Sequence, residues 1–148
     1  MIEADQLFTL CSRFVLPAWL LLLVAPHWKW THKLIFHAWI PALLGVAYIY
    51  AMQHSLPFPE GAGFGSLEEV LVAFSVPWLA LAGWIHYLAF DLFVGAWIVR
   101  DAQRRGIAHW WLLPCLLLTF LAGPVGLLLY FIFRYALRQT GTTVEALR

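Results

Sequence analysis

Two ionisable side chains, His86 and Asp91, lie in the middle of a long apolar segment of the sequence. No Lys, Arg or Glu occurs from residue 71 to residue 99, so these two groups interrupt a stretch that otherwise suits hydrocarbon. An ionisable group is costly in that environment and usually marks a functional site. A carboxylic acid and an imidazole can both transfer protons, so we take His86 and Asp91 as the candidate catalytic residues.

The spacing of His86 and Asp91 predicts that they face different neighbours. At about 100° and 1.5 Å per helical residue, the two side chains are roughly 140° apart around the axis and about 7.5 Å apart along it. His86 shares its stripe with Ala82 and Gly83, whose small side chains allow another helix to approach closely. We therefore expect a helix that is buried on most sides and contacts one partner through His86 and another through Asp91.

The composition predicts an integral membrane protein. The chain has 148 residues, of which 63% are hydrophobic and 11% are charged, whereas soluble domains are about 45–50% apolar and 25% charged. Apolar runs of membrane-spanning length predict an all-α bundle of four transmembrane helices in one domain covering residues 1–148. The predicted helices cover about residues 6–25, 34–52, 74–99 and 110–134. Residue 67 is an alternative start of the third helix.

Other classes of function find little support in the composition. A net charge of +1 offers no basic stripe for nucleic acid. Cys11 and Cys115 fall in separate apolar runs and form no motif for a disulfide or a metal. His32 and His37 are five residues apart, unlike a zinc-binding pair spaced by three or four on a helix, so we predict no metal and no cofactor.

Local signals mark the ends and irregularities of the helices. Ser66 and Glu69 have the spacing of a capping box, which gives Glu69 a structural interpretation beside a supporting role in a site. Residues 67–99 are too long for one straight span, so either Pro77 bends this run or its first turns lie at the membrane interface, and Pro124 predicts a kink in the fourth run. The kink serves either packing or the shaping of a cavity.

Charges in the connections predict an orientation. The first connection carries Lys29 and Lys33, and the third carries three arginines. The charged residues of the second connection are all acidic. The positive-inside rule places the first and third connections in the cytoplasm and both termini outside, although Arg134, Arg138 and Arg148 oppose that placement. Asp101 can pair with Arg104 or Arg105 at helical spacing, either as a solvated surface pair or in support of a site.

Several blocks of the sequence also resemble the abscisic-acid-deficient-four-like family. The most specific block runs from Trp84 to Asp101, and the other pieces are Pro17–Leu22, Pro114–Leu116 and Gly123–Leu128. The N-terminal stretch does not have the composition of a plastid transit peptide. We therefore expect a bacterial member, as a multi-pass protein of the bacterial inner membrane.

The resemblance implies a chemistry related to neoxanthin synthesis. That reaction is an isomerisation in which an epoxide oxygen gains a proton and a neighbouring carbon loses one. It needs an acid, a base and a long apolar groove, but no redox cofactor. His86 and Asp91 could supply the acid and base. The residues that we expect to bind the substrate are Trp84, Tyr87, Phe90, Phe93, Trp97 and His37, and those with a possible supporting role are Arg100, Asp101 and Glu69.

Two functions of different classes stay open at this point. The first is an intramembrane enzyme that acts on a carotenoid or related isoprenoid lipid by proton transfer. The second is a non-catalytic membrane protein that binds a pigment, a lipid or a partner protein, with His86 and Asp91 only fastening helices together. In that case the aromatic residues pack in the core or face lipid, and His37 is an interface residue bonded to lipid or backbone. Both allow a homo-oligomer.

Overall fold

The computed structural model describes residues 2–137, and every regular element in this part of the chain is helical. The five helices are α1 (Ala4–Val24), α2 (Trp39–His54), α3 (Leu67–Phe74), α4 (Pro77–Arg105) and α5 (Leu112–Ala136). Within the described residues, four helical stretches are long and apolar enough to cross a membrane, namely Ala4–Val24, Lys29–His54, Pro77–Arg105 and His109–Ala136. The predicted all-α membrane protein is thereby confirmed.

Contacts between Cα atoms divide the chain into two compact units. The first contains Met1–Pro17 and Trp39–Phe90, and the second contains Ala18–Ala38 and the chain from Asp91 onward. Helices α1 and α4 each contribute residues to both units. His86 belongs to the first unit and Asp91 to the second, so each is described among the residues of its own unit.

The predicted bend at Pro77 is a break between two helices. α3 ends at Phe74, and α4 begins with Pro77 as its first residue. Proline suits the first helical position because the backbone N–H that it lacks has no partner within the helix there. The long apolar run from residue 67 is therefore divided into a short helix and a long one.

The second helix begins at Trp39, five residues later than the predicted start at residue 34. A π-helical turn from His32 to Phe36 comes first, and Ala38 then adopts a φ of 57°. That left-handed conformation ends the turn, with the Ala38 N–H donating to the Ile35 carbonyl oxygen at 2.9 Å. Hydropathy alone could not show the interruption, since both sides of Ala38 are apolar.

Side chains of the second unit satisfy the carbonyl groups where α1 ends. His109 Nε2 donates to the Leu23 oxygen at 2.8 Å, and the Thr31 hydroxyl donates to the Ala25 oxygen at 2.7 Å. Carbonyls at the end of a helix have no partner within it, and leaving them bare in hydrocarbon is costly. The His109 bond ties the third connection to the end of α1, and the Thr31 bond closes the first connection on itself.

The fourth apolar run folds back on itself. Ala122, inside α5, has a φ of −157° and a ψ of 65°, which no helix allows. The rings of Trp111 and Phe133 are 5.2 Å apart between centroids, whereas 22 residues of straight helix would separate them by about 33 Å. A β-carbon at Gly126 would also collide with backbone atoms of Thr119 and Cys115. The predicted kink at Pro124 is in fact a reversal.

The second arm of this helical hairpin, which follows the break at Ala122, lies along the end of α4. Contacts of the second arm advance together along both helices: Asp91 lies against Gly123, Trp97 against Tyr130, and Asp101 against Arg134. The second arm therefore runs parallel to the end of α4. Each arm is roughly 15–21 Å long, which is too short to cross a 30 Å hydrocarbon core alone.

Candidate functional site

His86 lies at the edge of an open pocket in the first unit. The pocket has a volume of about 310 Å³, near the lower end of the 300–1,000 Å³ that is typical of small-molecule sites. Its lining consists of Tyr48, Met52, Phe64, Ala73, Phe74, Leu79, Ala82, Gly83 and His86. Only Tyr48 and His86 among these carry ionisable groups, so a ligand there meets an apolar wall with two polar groups.

The His86 ring is held by aromatic neighbours. It stacks on Phe90 with ring centroids 4.4 Å apart and an interplanar angle of 19°. The Tyr48 ring lies 6.3 Å away between centroids, at 56° to it. Stacking fixes the plane of the imidazole, while the exposed edge of His86 can reach a molecule in the pocket. An imidazole nitrogen can give or take a proton according to its protonation state.

Gly83 allows α3 to close one side of the pocket. A β-carbon at Gly83 would collide with Cε1 of Phe74, whose ring lies directly on the α4 backbone. The predicted close contact at Gly83 is therefore confirmed. It forms between a glycine and an aromatic ring, and the ring contributes to the lining of the pocket.

The start of α3 is fixed by the predicted capping residues. Ser66 Oγ accepts a hydrogen bond from the Glu69 N–H at 3.2 Å, as the capping-box spacing predicts. The Glu69 carboxylate accepts from the Gly65 N–H at 2.8 Å, one residue before the cap. Gly63 also donates to the Glu69 carbonyl at 3.3 Å. In these contacts Glu69 organises the loop that precedes α3.

Asp91 lies at the tip of the helical hairpin. A β-carbon at Gly123 would collide with Oδ1 of Asp91, so the carboxyl group rests where the second arm begins. The beginning of a helix carries a partial positive charge and N–H groups that favour an acidic neighbour. Non-helical backbone at membrane depth is tolerated where protein surrounds it, and Asp91 supplies part of that surrounding.

The aromatic residues that we expect to bind the substrate have different surroundings. Trp84 donates to Ser12 Oγ at 2.9 Å and packs against Phe8 and Tyr87, with ring centroids 5.4 and 5.3 Å away. Trp97 packs against Tyr130 in the second unit, at 5.7 Å. Phe93 is exposed. Of this group, Phe90 is the one that the described contacts bring to His86.

His37 is engaged with its own turn. Its Nδ1 atom donates to the His32 carbonyl oxygen at 2.7 Å. This is the backbone-bonded arrangement that we gave as the alternative to substrate binding. Within the part of the chain that the structure describes, no three of the His, Cys, Asp and Glu residues are grouped so that they could hold a metal ion.

Asp101 is the centre of a buried ionic cluster. Its side chain pairs with Arg104 and Arg105 as helical spacing predicts, with Arg105 Nε 2.9 Å from Oδ2. Asp101 is only 3% exposed, so the solvated interpretation of this pair is wrong. The Tyr130 hydroxyl donates to Oδ2 at 2.6 Å, and Arg134 Nη1 lies 3.4 Å from the same atom.

Arg100 belongs to the same end of α4 but has another partner. Its Nη1 atom donates to the Phe36 carbonyl oxygen at 2.9 Å, and its guanidinium lies 5.8 Å from the centroid of the Phe36 ring. Arg100 therefore satisfies a carbonyl at the end of the π-helical turn. Its described role is to hold the first connection against α4.

Four residues of the pocket and the ionic cluster were not predicted as site residues, namely Tyr48, Phe74, Tyr130 and Arg134. Tyr130 and Arg134 are four residues apart and so share one face of a helix, a signal that was available in the sequence. No comparable signal existed for Tyr48 and Phe74. Their place in the pocket depends on which helices are neighbours.

These features define a multi-pass helical membrane protein with an aromatic-lined pocket at an intramembrane histidine. The family model described as ABA DEFICIENT 4-like matches residues 6–130, and the chain belongs to this ABA4-like family. The family that we expected from the sequence is thus confirmed. No curated protein and no solved structure matches the chain.

Proposed function

We propose that this protein is an intramembrane enzyme that isomerises an epoxide-bearing carotenoid or related isoprenoid lipid by proton transfer. The observation that carries the proposal is the pocket at His86, which combines an apolar wall with an imidazole and a phenol. Membership of the ABA4-like family supports this substrate class. We place the protein in the bacterial inner membrane.

The size of the pocket suits one end of such a lipid. About 310 Å³ can hold a ring, whereas the polyene would extend through the open side into the bilayer. The side chains of Phe64 and Phe74 give the ring flat apolar surfaces. Binding by burial of apolar area would then bring the reacting end to the two polar groups of the lining.

The proposed reaction needs no electrons from outside. Protonation of the epoxide oxygen accompanies breakage of its bond to the ring carbon, and the oxygen becomes a hydroxyl. The neighbouring chain carbon loses its proton, and the electron pair of that C–H bond forms the second double bond of an allene. One proton enters and one leaves, so substrate and product have the same composition.

His86 is assigned as a proton-transferring group, and Tyr48 is its partner in the pocket. We retain the prediction that Asp91 takes part in proton transfer. Its contact with Gly123 supports a positioning role for the hairpin as well. Substitution separates these roles, because asparagine keeps the shape of aspartate but cannot act as a general base.

The test is pigment analysis in cells that make an epoxy-carotenoid and express the protein. His86→Gln should lower product formation by about 100-fold or more, which is typical of a lost general acid or base. His54→Gln is the matched control, since His54 bonds to the Tyr50 carbonyl and does not line the pocket. Equal product from the parent and His86→Gln at matched expression would refute the assignment.

The apolar lining also favours a second candidate, a protein that binds a pigment without changing it. The same cells distinguish the two functions. Unchanged pigment that copurifies with the parent, and that is lost when Gly83→Leu fills the pocket, would replace the enzyme by a binding protein.

A further inference from the structure

One side of α1 carries polar groups although the helix is apolar enough to cross a membrane. An open groove of about 510 Å³ on this side is lined by Asp5, Gln6, Thr9, Leu10 and Arg13, which we call the polar groove. All five residues are exposed and all belong to the first unit. Their spacing of one, three and four residues keeps them on one side of a helix.

The two charged residues of the polar groove have no partner within residues 2–137. Neither Asp5 nor Arg13 takes part in a side-chain hydrogen bond or an ion pair there. They are eight residues apart, which is about 12 Å along the helix axis. Side chains of a helix lean toward its N-terminus, so the long side chain of Arg13 extends toward Thr9 and shortens that gap. A charge facing hydrocarbon is costly, and an arginine relieves the cost by reaching the headgroup region.

An apolar groove lies beside the polar one. It has a volume of about 290 Å³, and its lining comes from α1 and α2. The lining residues, all in the first unit, are Leu7, Leu10, Cys11, Phe14, Leu43, Leu44 and Ala47. Leu10 lines both grooves, so a charged surface and an apolar surface meet at this residue. That arrangement matches a phospholipid, whose charged headgroup is joined to an acyl chain.

We propose that the two grooves together bind one phospholipid of the phosphatidylethanolamine class. The guanidinium of Arg13 and the hydroxyl of Thr9 donate to the phosphate, and the Asp5 carboxylate accepts from the primary ammonium group. The acyl chain lies in the apolar groove. Neither groove includes His86, so the proposal is independent of the enzymatic function.

The charges of the polar groove decide between this lipid and other occupants. A headgroup with only negative charge would be repelled by Asp5. A quaternary ammonium group has no N–H to donate to the carboxylate. A second copy of the chain, related by a two-fold axis through the polar groove, would bring Arg13 beside its own equivalent and leave like charges in contact. A headgroup with a phosphate and a primary amine satisfies both side chains.

The test measures which lipids bind to the purified full-length protein. Protein in a neutral detergent is titrated with phosphatidylethanolamine, phosphatidylcholine or phosphatidylglycerol of the same acyl chains, or with phosphoethanolamine as the free headgroup. Bound molecules are counted by native mass spectrometry. Phosphatidylethanolamine should bind best, and phosphoethanolamine at equal concentration should not displace it because it lacks the acyl chain.

Substitution of the two charged residues should give different results. Arg13→Gln should weaken the binding of phosphatidylethanolamine and of phosphatidylcholine about tenfold, the lower end of what a hydrogen bond to a charged group contributes. Asp5→Asn should weaken only the binding of phosphatidylethanolamine, again about tenfold, so that the preference for it is lost. Ala47→Leu, which fills the apolar groove, should lower the binding of all three phospholipids.

Lys29→Gln and Glu3→Gln are the matched controls, because these exposed residues carry the same charges and line neither groove. Both should bind lipid as the parent does. Arg13→Gln and Asp5→Asn should keep the melting temperature of the parent, since both residues are exposed. Equal binding of phosphatidylethanolamine and phosphatidylcholine by the parent, unchanged binding in Arg13→Gln, or displacement by phosphoethanolamine would each overturn the proposal. A lipid-free dimer that Arg13→Gln dissociates would also overturn it and assign the polar groove to a second copy.

Discussion

Replacing Gly126 by alanine should destabilise the protein by opening the helical hairpin. Gly126 lies in the second arm, and a β-carbon there would collide with the Thr119 backbone nitrogen, its hydroxyl oxygen and the Cys115 carbonyl oxygen. Two of these three atoms belong to the backbone of the first arm. A side chain could rotate away from the added methyl group, but a backbone can only move together with its helix.

The expected magnitude follows from that distinction. Added atoms in a well-packed interior typically cost about 1–3 kcal/mol, and we expect the upper end, about 3 kcal/mol, because backbone is the obstacle. The same substitution at Gly83 meets the outer atoms of the Phe74 ring, which can turn aside. Gly83→Ala should therefore cost less, about 1 kcal/mol.

Gly45→Ala is the control for helix propensity. Gly45 lies within α2, and no atom would come within 4 Å of a β-carbon there. Alanine is the better helix former, so this substitution should raise the free energy of unfolding by about 0.5–1 kcal/mol.

The assay is reversible denaturation in detergent micelles, followed by near-ultraviolet circular dichroism of the tryptophans. We expect the order of stability to be Gly45→Ala, parent, Gly83→Ala and then Gly126→Ala. A Gly126→Ala protein as stable as the parent would show that the two arms are not in contact, and the folded-back hairpin would have to be abandoned.

Three further predictions concern the topology and the site. Single cysteines at Ala108 and Leu137 should be labelled from one side of the membrane and a cysteine at Glu60 from the other; labelling of Ala108 and Leu137 from opposite sides would contradict the hairpin. Asp91→Asn should lower product formation at least about 100-fold with little change in melting temperature, and full activity would leave Asp91 with a packing role only. Glu69→Gln should keep full product formation because an acceptor for Gly65 persists, while Glu69→Ala should lower the free energy of unfolding by about 1 kcal/mol; loss of product in Glu69→Gln would show a catalytic role instead.

Features that depend on short-range signals could be predicted from the sequence. Ser66 caps α3 through the N–H three residues later, and Pro77 begins α4. Asp101 pairs with Arg104 and Arg105 at the predicted spacing. In each case the partners are within four residues, so the local sequence contains the whole interaction.

The reversal of α5 could not be predicted in the same way. Pro124 and its neighbouring glycines indicate an irregularity, but two short apolar arms have the same hydropathy as one long helix. The contacts that define the hairpin join Gly126 to Cys115 and Trp111 to Phe133. These contacts are side-by-side packing, which depends on shape and has no periodic signature in the sequence.

The hairpin also accounts for a conflict in the charge distribution. The prediction of both termini outside left Arg134, Arg138 and Arg148 on the same side as the acidic second connection, and Arg138 and Arg148 lie outside the described residues. In the structure Arg134 meets Asp101 beside Arg104 and Arg105, so the second arm of α5 brings it back to the basic end of α4. This end of α5 therefore lies with the other basic residues, as the positive-inside rule favours, while the placement of the two termini stays a prediction.

The ionisable residue of the site could be predicted from the sequence, whereas the residues that line the pocket around it could not. His86 stood out as an ionisable group in an apolar segment, and the structure places it at a pocket. Its neighbours Tyr48 and Phe74 come from other helices, where nothing distinguishes them from tyrosines and phenylalanines facing lipid. Which aromatic residues surround a histidine follows from helix packing, and no alternation or spacing along the chain encodes it.

The central claim, isomerisation by proton transfer, is tested most directly with purified protein and an epoxy-carotenoid in the absence of oxygen, reductant and added cofactor. The products are separated by chromatography and their masses are determined. We predict a product of the same mass as the substrate, formed by the parent and by His54→Gln but reduced about 100-fold or more in His86→Gln. A product of different mass, or conversion that proceeds equally well without His86, would contradict the account.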